Sequence, residues 1–214
     1  GIAMDRPVFC PADLLLPAAA PLEEWAVIAC DQFSSQPAYW EEVRAITRGK
    51  PSTFSLIYPE CWLEKPDAPV TIPGIQAAMD RALADGTFRE LPGRYLYLER
   101  TLSDGRVRRG LIGALDLEAY SYRPGDGCKV RATEETVADR LPPRMAVRRG
   151  ASLELPHVMV LLDDRDRRVV EPLAGETDAM TLEYSGPLML GGGSVRGWAV
   201  TDPALCRHVL AQLA

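Results

Sequence analysis

The sequence predicts an α+β fold, a mixed and mainly antiparallel sheet with flanking helices, on three observations. The first is a hairpin. Tyr95–Leu102 and Val107–Leu117 read as strands on either side of Ser103-Asp104-Gly105, whose Asp-Gly pair is a strong short-range turn signal. The second is a β-rich section from Pro156 to Val200, in which HVMVLLD, RVVEPL, MTLEYSG and VRGWAV are separated by turns at Asp163–Arg167 and Gly191–Gly193. The third is the absence of a regular βαβ period, which disfavours a doubly wound parallel sheet. All 214 residues are read as a single domain, since a 47% hydrophobic composition suffices for a core.

In chain order, Pro7–Pro21 is apolar and punctuated by proline, which suits an extended edge better than a long helix. Trp25–Cys30 is a short continuous apolar run stopped by Asp31 and reads as a buried strand. A polar loop, DQFSSQP, follows it and leads into a helix over Ala38–Thr47. Phe54–Tyr58 is a strand candidate, and Ile75–Ala84 a helix stopped by Asp85-Gly86. Pro203–Leu213 reads as a terminal helix with Pro203 in its first turn.

Composition excludes several classes. No run of about 18 apolar residues is present, so no membrane span is expected, and Gly1–Pro11 has no secretory pattern, so the cytoplasm is the default location. The five cysteines are scattered, odd in number and never in a CxxC pair, which reads as buried thiols rather than a disulfide framework or a zinc site. His157 and His208 are too far apart in sequence, and too poor in neighbouring ligand types, to predict a metal site. A net charge of −6 without a long basic run disfavours nucleic acid as a partner.

Charge is nevertheless concentrated. Lys129–Arg149 holds six Lys/Arg against three acids, so a segment of net +3 sits in a remainder of 18 basic and 27 acidic residues, net −9. Thr133 reads as the N-cap of a two-turn helix, with Glu134 and Glu135 at the positive end of its dipole and Pro142-Pro143 ending it. At about 100° per residue, Glu134 shares a side with Val137, Ala138 and Leu141, so one carboxylate faces inward. Arginine forks bind carboxylate or phosphate in a planar, bidentate way. Arg131, Arg140 and Arg144, with the donors of a helix start at Thr133, therefore form a candidate clamp for a small anionic or phosphorylated ligand, and Glu134 a candidate base or metal ligand. A structural salt-bridge network is the other reading of the same residues.

Asp31, at the end of the Trp25–Cys30 run, is the second candidate catalytic carboxylate, with Gln32, Ser34, Ser35 and Gln36 beside it; a polar turn capping the next helix is the plainer reading. Ser34-Ser35 lacks the GxSxG elbow of a serine nucleophile. Gly191-Gly192-Gly193-Ser194 lacks the Lys-Ser/Thr and following helix of a phosphate loop and reads as a glycine-rich bend.

Six stretches also resemble a known family: WAVIACDQFSSQPAYWEEV (Trp25–Val43), PSTFSLIYPE (Pro51–Glu60), YLERTLSDGRVRRGLIGALDLEAY (Tyr97–Tyr120), VRATEETVADRLPPR (Val130–Arg144), LELPHVMVLLDD (Leu153–Asp164) and LGGGSVRGW (Leu190–Trp198). Through them the chain resembles domain of unknown function family 1015 over nearly its whole length. Members of that family usually continue into a second half with a Gly-Asp-Gly-Asn-His or Asp-Gly-His-His motif, similar to a box of the ParB and sulfiredoxin superfamily, which includes nucleotide-using kinases of free serine. No such motif occurs in these 214 residues, so the resemblance implies a first half or a short relative. It names no cofactor. Two functional readings stand: binding or phosphoryl transfer of a small anionic metabolite or nucleotide, and a non-catalytic domain docking on a missing second half or a partner chain.

Overall fold

The computed structural model describes residues 8–115, 120–121, 130–131, 141–155 and 164–213. Within them the proline-punctuated arm is extended, as β1 (Phe9–Cys10) and β2 (Ala12–Pro17). A four-residue helix, α1 (Leu22–Trp25), and α2 (Pro37–Thr47) follow. α3 (Ile72–Ala84) is capped by Thr71, whose hydroxyl accepts from Gly74 N at 3.1 Å.

The next strand, β3 (Phe88–Thr101), is the longest and pairs on both edges. Its first half is antiparallel to β2, with Leu14 opposite Leu91 and Leu16 opposite Arg89. Its second half pairs with β4 (Val107–Ile112), Leu96 facing Ile112 and Thr101 facing Val107. The turn between them has Gly105 at φ 87°, with Gly105 N donating to Leu102 O and Leu102 N to Arg106 O, a three-residue loop closed by a left-handed glycine. β5 (Ala114–Leu115) pairs with β1. β6 (Tyr120–Ser121) and β7 (Val130–Arg131) form a short parallel pair.

After α4 (Leu141–Arg148) and α5 (Glu171–Ala174), β8 (Thr181–Pro187) and β9 (Ser194–Val200) form a second hairpin that completes the sheet in the order β2-β3-β9-β8. Its bend is tight: Leu188 N donates to Gly193 O and Gly192 N to Met189 O, with Leu190 and Gly191 both at positive φ. This is a glycine-rich bend and not a phosphate loop, as the absence of a following helix predicts. α6 (Pro203–Gln212) ends the described chain, and Asp202 accepts from Ala204 N at 2.7 Å at its start.

Tyr95 and Tyr97 of β3 lie opposite Val200 and Trp198 of β9 and are fully buried with Leu173 of α5 and Val209 of α6. Leu96 and Ala199, one residue out of phase, are also buried, so the centre of the sheet is covered on both faces. Two further clusters pack α2 and α3: Trp40, Val43, Ile57 and Trp62 in one, Trp25, Leu56, Ile75 and Met79 in the other.

Several expectations are corrected. Trp25–Cys30 is not a strand: Trp25 closes α1 and the run continues without a ladder partner. Part of its backbone is satisfied by side chains instead, Trp25 O accepting from the hydroxyls of Thr53 and Ser52, and Val27 N donating to Thr53 Oγ1. Phe54–Tyr58 is not a strand either, because Ser52 caps a 3₁₀ turn over Thr53–Leu56 by accepting from Phe54 N. RVVEPL opens α5, where Pro172 fits a first helical turn better than a ladder. Pro142 and Pro143 lie in the first turn of α4, since the N–H groups they lack would be unpaired there in any case, and the helix expected from Thr133 lies outside the described residues.

Gly193 tests the description of the sheet. It sits at φ 80°, and a Cβ there would fall inside the van der Waals radius of the Thr101 carbonyl oxygen. Gly49, at φ 71°, has nothing within 4 Å of the same position. Gly193→Ala is expected to cost about 1–3 kcal/mol beyond Gly49→Ala, read as a lower denaturation midpoint. Equal midpoints for the two variants would mean that β3 and the β8–β9 bend are not in the register described.

Candidate functional site

Asp31 is exposed, at the head of a loop held in one shape by its backbone and by the helix it feeds. Glu60 N donates to Cys30 O at 2.8 Å, Gln32 N to Ala29 O at 3.0 Å and Gln36 N to Phe33 O at 3.0 Å. Trp40, fully buried, donates its indole N–H to Gln32 O at 3.0 Å. Phe33 takes φ 51° and stacks on Tyr39 with ring centroids 3.9 Å apart. Asp31 itself accepts from Gln32 Nε2 at 3.4 Å.

Of the clamp residues, Arg131 lies in β7 opposite Ser121, and Arg144 on the first turns of α4. Thr133, Glu134 and Arg140 lie outside the described residues, as does His157. α4 is fastened to α3 at its far end: Gln76 Nε2 donates to Arg149 O at 2.6 Å and Val147 O at 3.5 Å, and Ser152 Oγ to Asp80 Oδ1 at 2.7 Å. The backbone of Arg144 therefore belongs to an anchored element. Among the described residues no group of three or more His, Cys, Asp or Glu is arranged to hold a metal, and no helix is long and apolar enough to cross a membrane.

A second concentration of charge escapes a linear reading. At the β3–β4–β9 end of the sheet, Arg100, Arg106, Arg108, Arg109 and Arg196 converge with Glu99 and Asp104. Strand alternation sorts them. On one face Glu99 stands between its two cross-strand neighbours, 3.7 Å from Arg109 Nε and 3.7 Å from Arg196 NH2, and Arg196 lies 4.9 Å over the Trp198 ring. The buried Tyr97 hydroxyl faces this triad, with no hydrogen bond of good geometry; burial pushes its pKa up and Glu99 adds to the rise, while Arg109, by its charge and as a weak donor, and Arg196 oppose it. On the other face Arg100 stands directly opposite Arg108. Its Nε and NH2 both donate to Gly192 O, at 3.4 and 3.3 Å. The same guanidinium also acts on Tyr39, whose pKa is raised by burial and drawn back by the Arg100 charge. Arg106 is taken up by Asp104, with Nε 2.7 Å from Oδ2. The signal that could have found the Arg100–Arg108 pair is the hairpin register itself, since the Asp-Gly turn sets which residues face each other.

A shallow cavity of about 220 Å³ lies between the Pro17–Leu22 segment and β8, lined by Arg89, Glu183 and Tyr184. Its charges are already mutually satisfied, Arg89 donating to Glu183 Oε2 at 2.6 Å and to Glu183 O at 2.8 Å. Burial pushes the Tyr184 hydroxyl up to about 12, so it stays a neutral phenol there.

The described residues form an α+β fold whose sheet end gathers arginines around two carboxylates. The chain belongs to the family described as Protein of unknown function (DUF1015), whose model matches residues 13–214. No curated protein and no solved structure matches it.

The Asp31 loop depends on Thr53, because that one hydroxyl both receives Val27 N at 3.2 Å and donates to Trp25 O at 2.8 Å. Thr53→Val keeps the shape and removes both bonds, at an expected cost of about 1–3 kcal/mol. Thr53→Ser should recover most of it. A Thr53→Val protein that melts with the wild type would show that the run is held by packing alone.

Proposed function

We propose that this protein binds a small anionic ligand, a phosphorylated metabolite or nucleotide being the class its arginines fit. The observation that carries this reading is the segregation of charge: Lys129–Arg149 has net +3 within a remainder of net −9. Arg131, Arg140 and Arg144 are assigned to the phosphate oxygens, with the backbone donors that the helix start expected at Thr133 would offer. Glu134 and Asp31 are assigned the proton or the divalent cation that accompanies a phosphate ligand, and phosphoryl transfer is the reaction class that positioning and charge alone can support. The anchoring of α4 on α3 favours this reading over a mobile basic tail, because a clamp must hold its arginines in place before the ligand arrives.

Titration calorimetry with ATP, ADP and phosphorylated metabolites, with and without magnesium, tests the proposal on this chain and on a longer family member. Binding is expected in the micromolar to millimolar range, with Arg140→Ala and Arg144→Ala each weakening it by about tenfold, or about 1.4 kcal/mol. Glu134→Gln should change magnesium dependence more than affinity. If no phosphate compound binds either protein at millimolar concentration, and the arginine variants only lower stability, the segment is architectural and the chain is a docking domain for a second half or another copy.

A further inference from the structure

We propose that the β3–β4 hairpin carries a separate oxyanion site, built on Arg100 and Arg108 beside the Gly191–Gly193 bend, and that its ligand is of the phosphate class. The argument starts from how charge is allotted at that end of the sheet. Five arginines converge there with two carboxylates. Glu99 is shared by Arg109 and Arg196, and Asp104 is held by Arg106. Both carboxylates of the hairpin end are thereby occupied, and among the described residues no ion pair reaches Arg100 or Arg108. Those two are also the pair that antiparallel register sets face to face, and like charges directly opposite each other repel.

Arg100 is half-buried, and its Nε and NH2 share a single carbonyl acceptor, Gly192 O, at distances longer than a guanidinium prefers. That contact fixes the fork without neutralising it. Arg108, one strand away and exposed, brings a second fork to the same face. The flank is open at Gly191, where nothing lies within 4 Å of a built Cβ; at Gly192 a Cβ would meet Leu188 Cβ at 3.0 Å and Met189 O at 3.1 Å, with Arg100 NH2 3.8 Å away. A side chain at Gly192 would stand beside the guanidinium that the ligand must reach.

The class of ligand follows from charge and shape. A carboxylate is planar and carries one charge, so it matches one fork and leaves the other arginine unneutralised. A phosphate dianion is tetrahedral and can accept from two forks approaching from adjacent strands. None of these residues belongs to the Lys129–Arg149 segment, so this site stands or falls independently of the one proposed above.

The test uses the full chain in phosphate-free chloride buffer at low ionic strength, with inorganic phosphate as the probe. Phosphate is expected to bind and to raise the melting temperature, while Arg100→Gln and Arg108→Gln each weaken binding by about tenfold or more. Arg106→Gln, which removes an exposed arginine already paired with Asp104, should leave affinity within about twofold, the change expected of a charge outside the site. Arg108→Gln carries a second signature: without phosphate it should melt at or above the wild type, because a repulsion is relieved, and with phosphate below it. Glycerol phosphate run in parallel distinguishes the free ion from an ester; tighter binding of either still supports a phosphate site and tells which source it serves. The proposal is overturned if the wild type binds neither, if acetate binds as tightly, or if Arg106→Gln weakens phosphate as much as Arg108→Gln.

Discussion

The structure depends on β3 being paired along both edges. Tyr95, Leu96 and Tyr97, which open its doubly paired half, are buried, so their backbone donors and acceptors need partners from other strands, whereas Pro92, Gly93 and Arg94 are exposed. β2 supplies them to the first half; β4 and β9 supply them to the second. The burial that repays this ordering is aromatic. Tyr95 and Tyr97 are fully enclosed, each worth roughly 1.5–3 kcal/mol by the usual transfer value of a large apolar side chain. Tyr97 stacks against Trp198 at 5.6 Å, and Tyr95 against Phe9 of β1 at 5.4 Å. Tyr95 also donates its hydroxyl to Phe9 O at 2.6 Å, which ties the N-terminal arm to the centre of the sheet, and burial pushes its pKa up to about 12.

What was legible in the sequence divides along the same line. The β3–β4 hairpin could be read because its evidence is local: alternation in Tyr95–Leu102, an Asp-Gly turn, alternation resumed. The extended arm, the two long helices, the β8–β9 hairpin and the terminal helix were legible for the same reason, each marked by proline, glycine or a capping residue within a few positions. Trp25–Cys30 was misread because its fate is decided by Thr53 and Ser52, some 26 to 28 residues away, whose hydroxyls replace a strand partner. An apolar run shows that a segment is buried; it does not show what satisfies its backbone. In RVVEPL, Val169 is buried as a strand would bury it, yet Asp164 accepts from Arg168 N and Val169 N and turns the chain into α5.

Of the candidate residues, Asp31 lies in an exposed loop, Arg131 and Arg144 are placed on β7 and α4, and the remaining clamp residues fall outside the described residues. The five arginines of the sheet end were not found, because three different strands bring them together. Window-based charge counting registers Lys129–Arg149, where the basic residues are neighbours in sequence. It averages away Arg100, Arg108 and Arg196, which become neighbours only through pairing.

Alternation along β3 then does something that net charge cannot. Glu99 and Arg100 are adjacent in sequence, yet they point to opposite faces, so the carboxylate cannot neutralise its own neighbour. It is directed instead to Arg109 and Arg196, its cross-strand partners, where it closes a triad beside Trp198. Arg100 is directed to Arg108 and the turn carbonyl of Gly192. A shift of β3 by one residue would move every one of its side chains to the opposite face and undo this sorting, but it would also take Tyr95 and Tyr97 away from Trp198, Leu173 and Val209. The aromatic core that makes the fold stable is thus the same constraint that keeps two arginines on one face without a carboxylate between them, and the hairpin cannot lose that arrangement without losing its core.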